Sequence, residues 1–117
     1  MSRAGEITIV ARWQPAEGAF DEVVSIINEL RPKSLAEPGC LRYEVYRSLE
    51  EPQALLLLER YRDEAELEAH RQSEHYQTLV PGRVLALLAD RRVELLEART
   101  AAIPATSSAM GPALSQA

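Results

Sequence analysis

The sequence predicts an α+β fold in which a four-stranded antiparallel sheet carries helices on one face. Three observations predict it. Residues 6–14, EITIVARWQ, alternate with a period of two. Two further strand-like runs, LRYEVYRS and ALLLLERYR, are separated only by the short linker LEEPQ. Apolar residues at three- and four-residue spacing follow both the first and the third of these runs. The resulting order is strand, helix, strand, strand, one or two helices, strand.

Within the first strand, Ile7, Ile9, Ala11 and Trp13 share one face, with Thr8, Val10 and Arg12 on the other. Pro15 and Gly18 then break the strand. From about Ala19 to Leu30, Phe20, Val23, Val24, Ile27 and Leu30 form one stripe of an amphipathic helix. Pro32 has no amide proton and disfavours helix at Arg31, so the helix is expected to end or kink there. The turn EPGC, residues 37–40, leads into the second strand, where Leu41, Tyr43 and Val45 alternate with Arg42, Glu44 and Tyr46. In residues 54–62, Leu55, Leu57, Glu59 and Tyr61 fall on one face, with Leu56, Leu58 and Arg60 on the other.

Asp63 followed by Glu66 is a variant capping box, which starts a helix running to about His70 or Arg71. Ser73 is placed to cap a further helix that buries Tyr76, Leu79, Val80, Val84, Leu87 and Leu88, with a kink at Pro81–Gly82. Residues 91–99, RRVELLEAR, read as the last strand. After Thr100 the chain carries no charge and is rich in Ala, Ser, Pro and Gly. Residues 1–100 are therefore expected to form one domain, with 101–117 a flexible tail.

The 117 residues suffice for a single core, and 46% hydrophobic with 26% charged residues is ordinary for a globular protein. Eighteen acids against thirteen bases give a net charge of −5, and the bases are interleaved with acids, which opposes nucleic-acid binding. Cys40 is the only cysteine, so no intrachain disulfide forms, and no stretch approaches the ~18 apolar residues of a membrane span. The N-terminal run has no cleavage-site pattern. A cytoplasmic protein without membrane or nucleic-acid partners is expected.

An arrangement of this order most often builds a ferredoxin-like βαββαβ sandwich. Helices would then cover one sheet face and leave the other open. The economical cover is the same face of a second copy, giving a homodimer and a dimeric α+β barrel.

At EPGCLRYEVY and LLLERYRDEAELEAHRQSEHYQTL the chain resembles the antibiotic biosynthesis monooxygenase family, which includes small quinol monooxygenases. The residues carrying the resemblance are Glu37 to Cys40, Tyr43, Glu59, Tyr61, Leu67 to His70, Ser73, His75 and Tyr76, within a span of roughly residues 6 to 98. Tyr61 stands where the family most often has tryptophan. The resemblance implies a cofactor-independent monooxygenase that oxidises a small aromatic quinol, anthrone or polyketide-like phenol with O₂. Because the family's fold also serves other ends, two alternatives stay open. One is a non-catalytic small-molecule binding or stress-response protein; the other is an isomerase or epimerase of a small metabolite.

The candidate catalytic residues are His70, His75 and Glu59. An imidazole titrates near neutrality and can take a phenolic proton. Glu59, on an otherwise apolar strand face, either orients a histidine or pairs with Arg42 or Arg60. Trp13, Arg42, Tyr43, Tyr61 and Tyr76 are candidate substrate contacts, the aromatics by stacking. Metal ligands on one helix face sit three or four residues apart, whereas a five-residue spacing leaves the two imidazoles about 140° apart. The spacing predicts no metal site and two histidines pointing to different places. Cys40 has no adjacent base, and no phosphate loop, Rossmann fingerprint or Ser-His-Asp order is present, so no cofactor is expected.

Overall fold

The computed structural model describes residues 5–99. The expected domain end at residue 100 and the tail 101–117 lie outside the described residues. Four strands, β1 (Ile7–Pro15), β2 (Cys40–Arg47), β3 (Leu55–Tyr61) and β4 (Leu88–Leu96), form one antiparallel sheet in the order β2-β3-β1-β4. Helices α1 (Phe20–Leu35), α2 (Glu64–Gln72) and α3 (Glu74–Leu79) pack on one face, and a short 3₁₀ turn at Val84–Leu87 leads into β4. This is the ferredoxin-like arrangement.

The side-chain phases of β1 and β3 follow their period of two. Ile7, Ile9, Ala11 and Trp13 are buried on the helix side, as are Leu55, Leu57, Glu59 and Tyr61. The register aligns these residues in rows across the sheet: Tyr43, Glu59, Ile9 and Leu95 in one, Val45, Leu57, Ala11 and Val93 in the next. Trp13 pairs with Leu55 on one side and Arg91 on the other. Val23, Ile26, Ile27 and Leu30 of α1 complete the core with Leu67, Leu79, Val80 and Val84.

Three expectations are corrected. Helix α1 does not end at Pro32, one of the two outcomes expected there, but runs on to Leu35. Proline removes only its own donation to the carbonyl of Asn28, an exposed residue whose carbonyl water can satisfy, and the Ala36 N–H still bonds the Pro32 carbonyl at 3.1 Å. The second correction concerns Val84, Leu87 and Leu88, which do not continue a helix. Helix α3 stops at Leu79, and the chain turns at Pro81–Gly82, where the Gly82 N–H bonds the Gln77 carbonyl at 3.1 Å. A Cβ on Gly82 would lie 2.2 Å from the Thr78 oxygen, so only glycine permits this closure. Thirdly, β4 begins at Leu88 rather than residue 91, because its pairing with β1 starts beside Pro15 through a register shift.

The helices cover β1, β2 and β3 but leave β4 bare: Val93 and Leu95 face the helix side of the sheet yet are 39% and 49% exposed. The interior therefore opens at the β4 margin. That margin positions the site.

Candidate functional site

The junction of α2 and α3 brings both histidines to one place. Asp63 caps α2 by accepting the Glu66 N–H at 2.9 Å. At the other end Ser73 has extended backbone (φ −66°, ψ 152°). Its hydroxyl donates to the His70 carbonyl at 2.6 Å and accepts the Tyr76 N–H at 3.2 Å, ending one helix and capping the next. One extended residue resets the helical phase, so the five-residue spacing no longer separates the imidazoles. Their ring centroids lie 6.2 Å apart. The expectation that they point to different places is therefore wrong. Continuous-helix geometry does not apply across Ser73.

Both converge on Glu37 of the EPGC turn. His70 Nδ1 lies 3.0 Å from Glu37 Oε2 and His75 Nε2 lies 2.5 Å from the same oxygen. An ionised carboxylate only accepts, so both contacting ring nitrogens carry protons. That places the free lone pair of neutral His70 on Nε2. The turn approaches α2 closely because residue 39 is glycine: a Cβ there would meet the Glu66 side chain at 2.4 Å. The three ligand-type atoms of Glu37, His70 and His75 lie within 4.8 Å of one another, a spacing that a divalent ion could bridge. The geometric objection to a metal thus falls away.

On the other side of His70 lies a cavity between sheet and helices. Its lining includes Ala11, Trp13, Tyr43, Glu59, His70 and Tyr76, together with Arg71 of α2 and Arg91 of β4. The cavity volume is about 50 Å³. His70 Nε2 is 3.9 Å from Glu59 Oε1, and the imidazole is flanked by Tyr61 at 4.9 Å and by Tyr76, edge-on, at 5.0 Å.

Burial dominates the electrostatics. It lowers the pKa of His70, opposed by the hydrogen bond to Glu37, so burial favours the neutral, proton-accepting imidazole. Glu59 is pushed up from 4.5 to about 7 by burial, although the Tyr61 hydroxyl, donating to Oε1 at 2.7 Å, favours its ionised form. The Tyr61 hydroxyl is itself pushed far up by burial and by Glu59. Burial raises the Cys40 thiol to about 11 and the Tyr43 phenol well above its ordinary range. Neither is a ready nucleophile or base.

Of the residues singled out from the sequence, Trp13, Tyr43, Glu59, His70 and Tyr76 come together in this cavity. Tyr61 acts from behind, through Glu59. His75 is turned away from the cavity, onto Glu37. Arg42 lies on the opposite sheet face, bonded to Glu44 at 2.9 Å. The expected pairing of Glu59 with Arg42 or Arg60 does not occur, because both arginines project from that other face. The sequence reading passed over Glu37, Arg71 and Arg91. Glu37 appeared only as part of a turn, and no local pattern shows that a turn side chain will meet helix residues thirty-three positions later. Arg91 had a signal, since it shares the phase of Val93 and Leu95 on an alternating strand. A wider groove between α1 and β2 holds no imidazole, and its charged groups Arg31, Glu44 and Arg47 are each engaged in hydrogen bonds.

This fold and site define a class of small α+β proteins with an imidazole-lined cavity under the sheet. The antibiotic biosynthesis monooxygenase family matches residues 6–81, and the chain belongs to it. It is 33% identical over 70 residues to the Mycobacterium tuberculosis protein Rv0793, provisionally named a monooxygenase, covering 60% of this chain and 68% of that one. The structure of Rv0793 superposes with a TM-score of 0.78 at 29% identity, covering 85% of this chain and 100% of the other. A conserved protein from Methanosarcina mazei Go1 gives 0.77 at 28% identity, covering 82% and 95% of the two chains. A crystal structure of an antibiotic biosynthesis monooxygenase gives 0.75 at 29% identity, covering 80% and 99%. Among the described residues no helix is long and apolar enough to cross a membrane.

Proposed function

We propose that the protein is a monooxygenase that oxidises a small phenolic or quinol substrate with O₂ and needs no metal or flavin. One observation carries the reading. Glu37 holds the Nδ1 proton of His70, which leaves Nε2 as a base beside Glu59 at a cavity lined mainly by aromatic and apolar side chains. The arrangement has the parts of an oriented base: a carboxylate behind, a free lone pair in front.

In the proposed reaction His70 Nε2 takes the substrate's acidic proton and Glu59, when ionised, stabilises the imidazolium. The electron-rich anion transfers one electron to O₂, and the radical pair joins to form a C–O bond. Cleavage of the O–O bond with loss of water then leaves a carbonyl. One oxygen atom enters the product and the other leaves as water. The protein contributes orientation and exclusion of solvent.

The open sheet face supports a homodimer. Val10 lies opposite Leu58, with Leu56 and Tyr46 alongside, and these side chains are only partly covered within one chain. A second copy placed on that face would bury them.

The test is oxygen uptake with a panel of hydroquinones and anthrones, without added metal or flavin. Turnover that falls sharply in His70→Ala is expected, and turnover unchanged in that variant removes the base. A second reading has its own observation: Glu59, near 7, stands close to His70, and two such groups could move a proton between adjacent carbons. Solvent deuterium entering a hydroxy-carbonyl substrate with no oxygen consumed would select isomerisation instead.

A further inference from the structure

We infer that the substrate is a single-ring phenol bearing a carboxylate, bound through Trp13, Arg91 and Arg71 while its hydroxyl faces His70. The inference rests on reading this cavity as the substrate site, but it concerns which ring enters rather than what happens to it.

The first support is charge. Arg12, Arg42, Arg60, Arg62, Arg83 and Arg92 each lie against a carboxylate. Arg71 and Arg91 make no such close ion pair among the described residues, although both stand near enough to Glu59 to favour its ionised form. These two guanidiniums come from different elements, α2 and β4, yet line the same cavity. Positive charge along a cavity wall suits an anionic ligand, and a planar guanidinium matches a carboxylate through paired hydrogen bonds.

The second support is an unpaired donor. The indole N–H of Trp13 is buried with no hydrogen-bond partner among the described residues, and Trp13 lines the cavity. Buried donors are nearly always satisfied, and the exceptions need a reason. Trp13 stands directly opposite Arg91 in the β1–β4 register. An acceptor oxygen from a ligand at that pair would meet both an N–H and a guanidinium.

The span along the sheet agrees. Glu59 pairs with Ile9, and Arg91 pairs with Trp13 four residues along β1, a strand distance of about 13 Å. An arginine side chain, one ring and an imidazole fill that span. Ala11, small and central in the floor, leaves space for the ring.

Trp13 is the chain's only tryptophan, so its fluorescence reports binding directly. The probes are 4-hydroxybenzoate and 4-hydroxybenzamide, titrated at pH 8 and low salt, with calorimetry as a second readout. Tighter binding of the acid, by about tenfold or more, is expected. In an Arg71→Gln, Arg91→Gln double variant that preference should collapse while amide binding persists. The substituted side chains are not core residues, and an unchanged circular dichroism spectrum will show that the fold is intact. Equal affinities for acid and amide overturn the inference, as does a preference that survives both substitutions or no saturable binding of either probe at millimolar concentration. Acid-selective binding without oxygen uptake by any quinol would sink the monooxygenase reading and leave this inference standing. Oxygen uptake without acid preference would do the reverse.

Discussion

Glu37 and His70, thirty-three residues apart in the chain, meet with a carboxylate oxygen 3.0 Å from Nδ1. That contact fixes which imidazole nitrogen faces the cavity. Replacing Glu37 by Gln presents an amide that can donate as well as accept, which removes the bias toward the Nδ1–H tautomer. Turnover is expected to fall at least about tenfold, equivalent to ~1.4 kcal/mol of barrier, with KM little changed. Steady-state kinetics at several pH values will show it. His75→Ala should cost less, since His75 reaches the cavity only through Glu37. A larger loss in His75→Ala than in Glu37→Gln would reverse these roles.

Glu59 makes both stability and activity depend on pH. Its folded pKa, about 7, is raised above the ordinary 4.5, so the fold favours the protonated form. Its contribution to stability is fully present below about pH 4.5 and is lost as pH rises through 7, by about 3 kcal/mol in total. His70 works in the opposite sense: its lowered pKa gives a contribution present above its ordinary 6.5 and lost as pH falls. Denaturant melts of wild type and Glu59→Gln between pH 4.5 and 8 should differ in slope, the variant losing the decline toward neutrality. Tyr61→Phe removes a hydrogen bond that favours the carboxylate, and so should move the Glu59 inflection upward.

Metal dependence separates two chemistries at the same residues. Two histidines and one glutamate are also the ligand set of many non-haem iron oxygenases. Chelator-treated protein is expected to retain its full rate. Added Co²⁺ or Zn²⁺ should inhibit by drawing Glu37 and the His70 Nδ1 position away from their present bond. If chelation abolishes turnover and Fe²⁺ restores it, the base mechanism is wrong.

The open sheet face predicts a dimer at micromolar concentration by light scattering. Leu58→Lys puts a charge among Val10, Leu56 and Tyr46 without touching the cavity side of β3. It should shift the protein to a monomer with little change in the thermal midpoint of the core. A wild-type monomer at that concentration ends the dimer proposal.

The fold was legible because local periodicity and topology agree. The phase of β1 placed Ile7, Ile9, Ala11 and Trp13 inside, and that of β3 placed Glu59 there with Leu57. Asp63 and Ser73 marked their helix starts, as capping chemistry is local. Pro32 misled because a missing donor near a helix end, with its carbonyl partner exposed, is easily tolerated. Leu88 misled because apolar spacing alone cannot distinguish the end of a helix from the start of an edge strand.

By itself the sequence determined the order of elements, the family and the inward faces of β1 and β3, but not that of β2 at its start, where a register shift buries Cys40 and exposes Leu41, which the alternation groups with Tyr43. It also supplied most of the cavity wall, since a residue's phase in a strand is decided by its neighbours. Tertiary structure decided which polar groups meet. Glu37 reaches the two histidines only because Gly39 lets its turn pack against α2, and the histidines share a side only because Ser73 breaks the helix. Arg91 joins Trp13 and Arg71 only once β4 pairs with β1. Such contacts depend on distances between segments far apart in the chain, and a local pattern of residue types does not encode them.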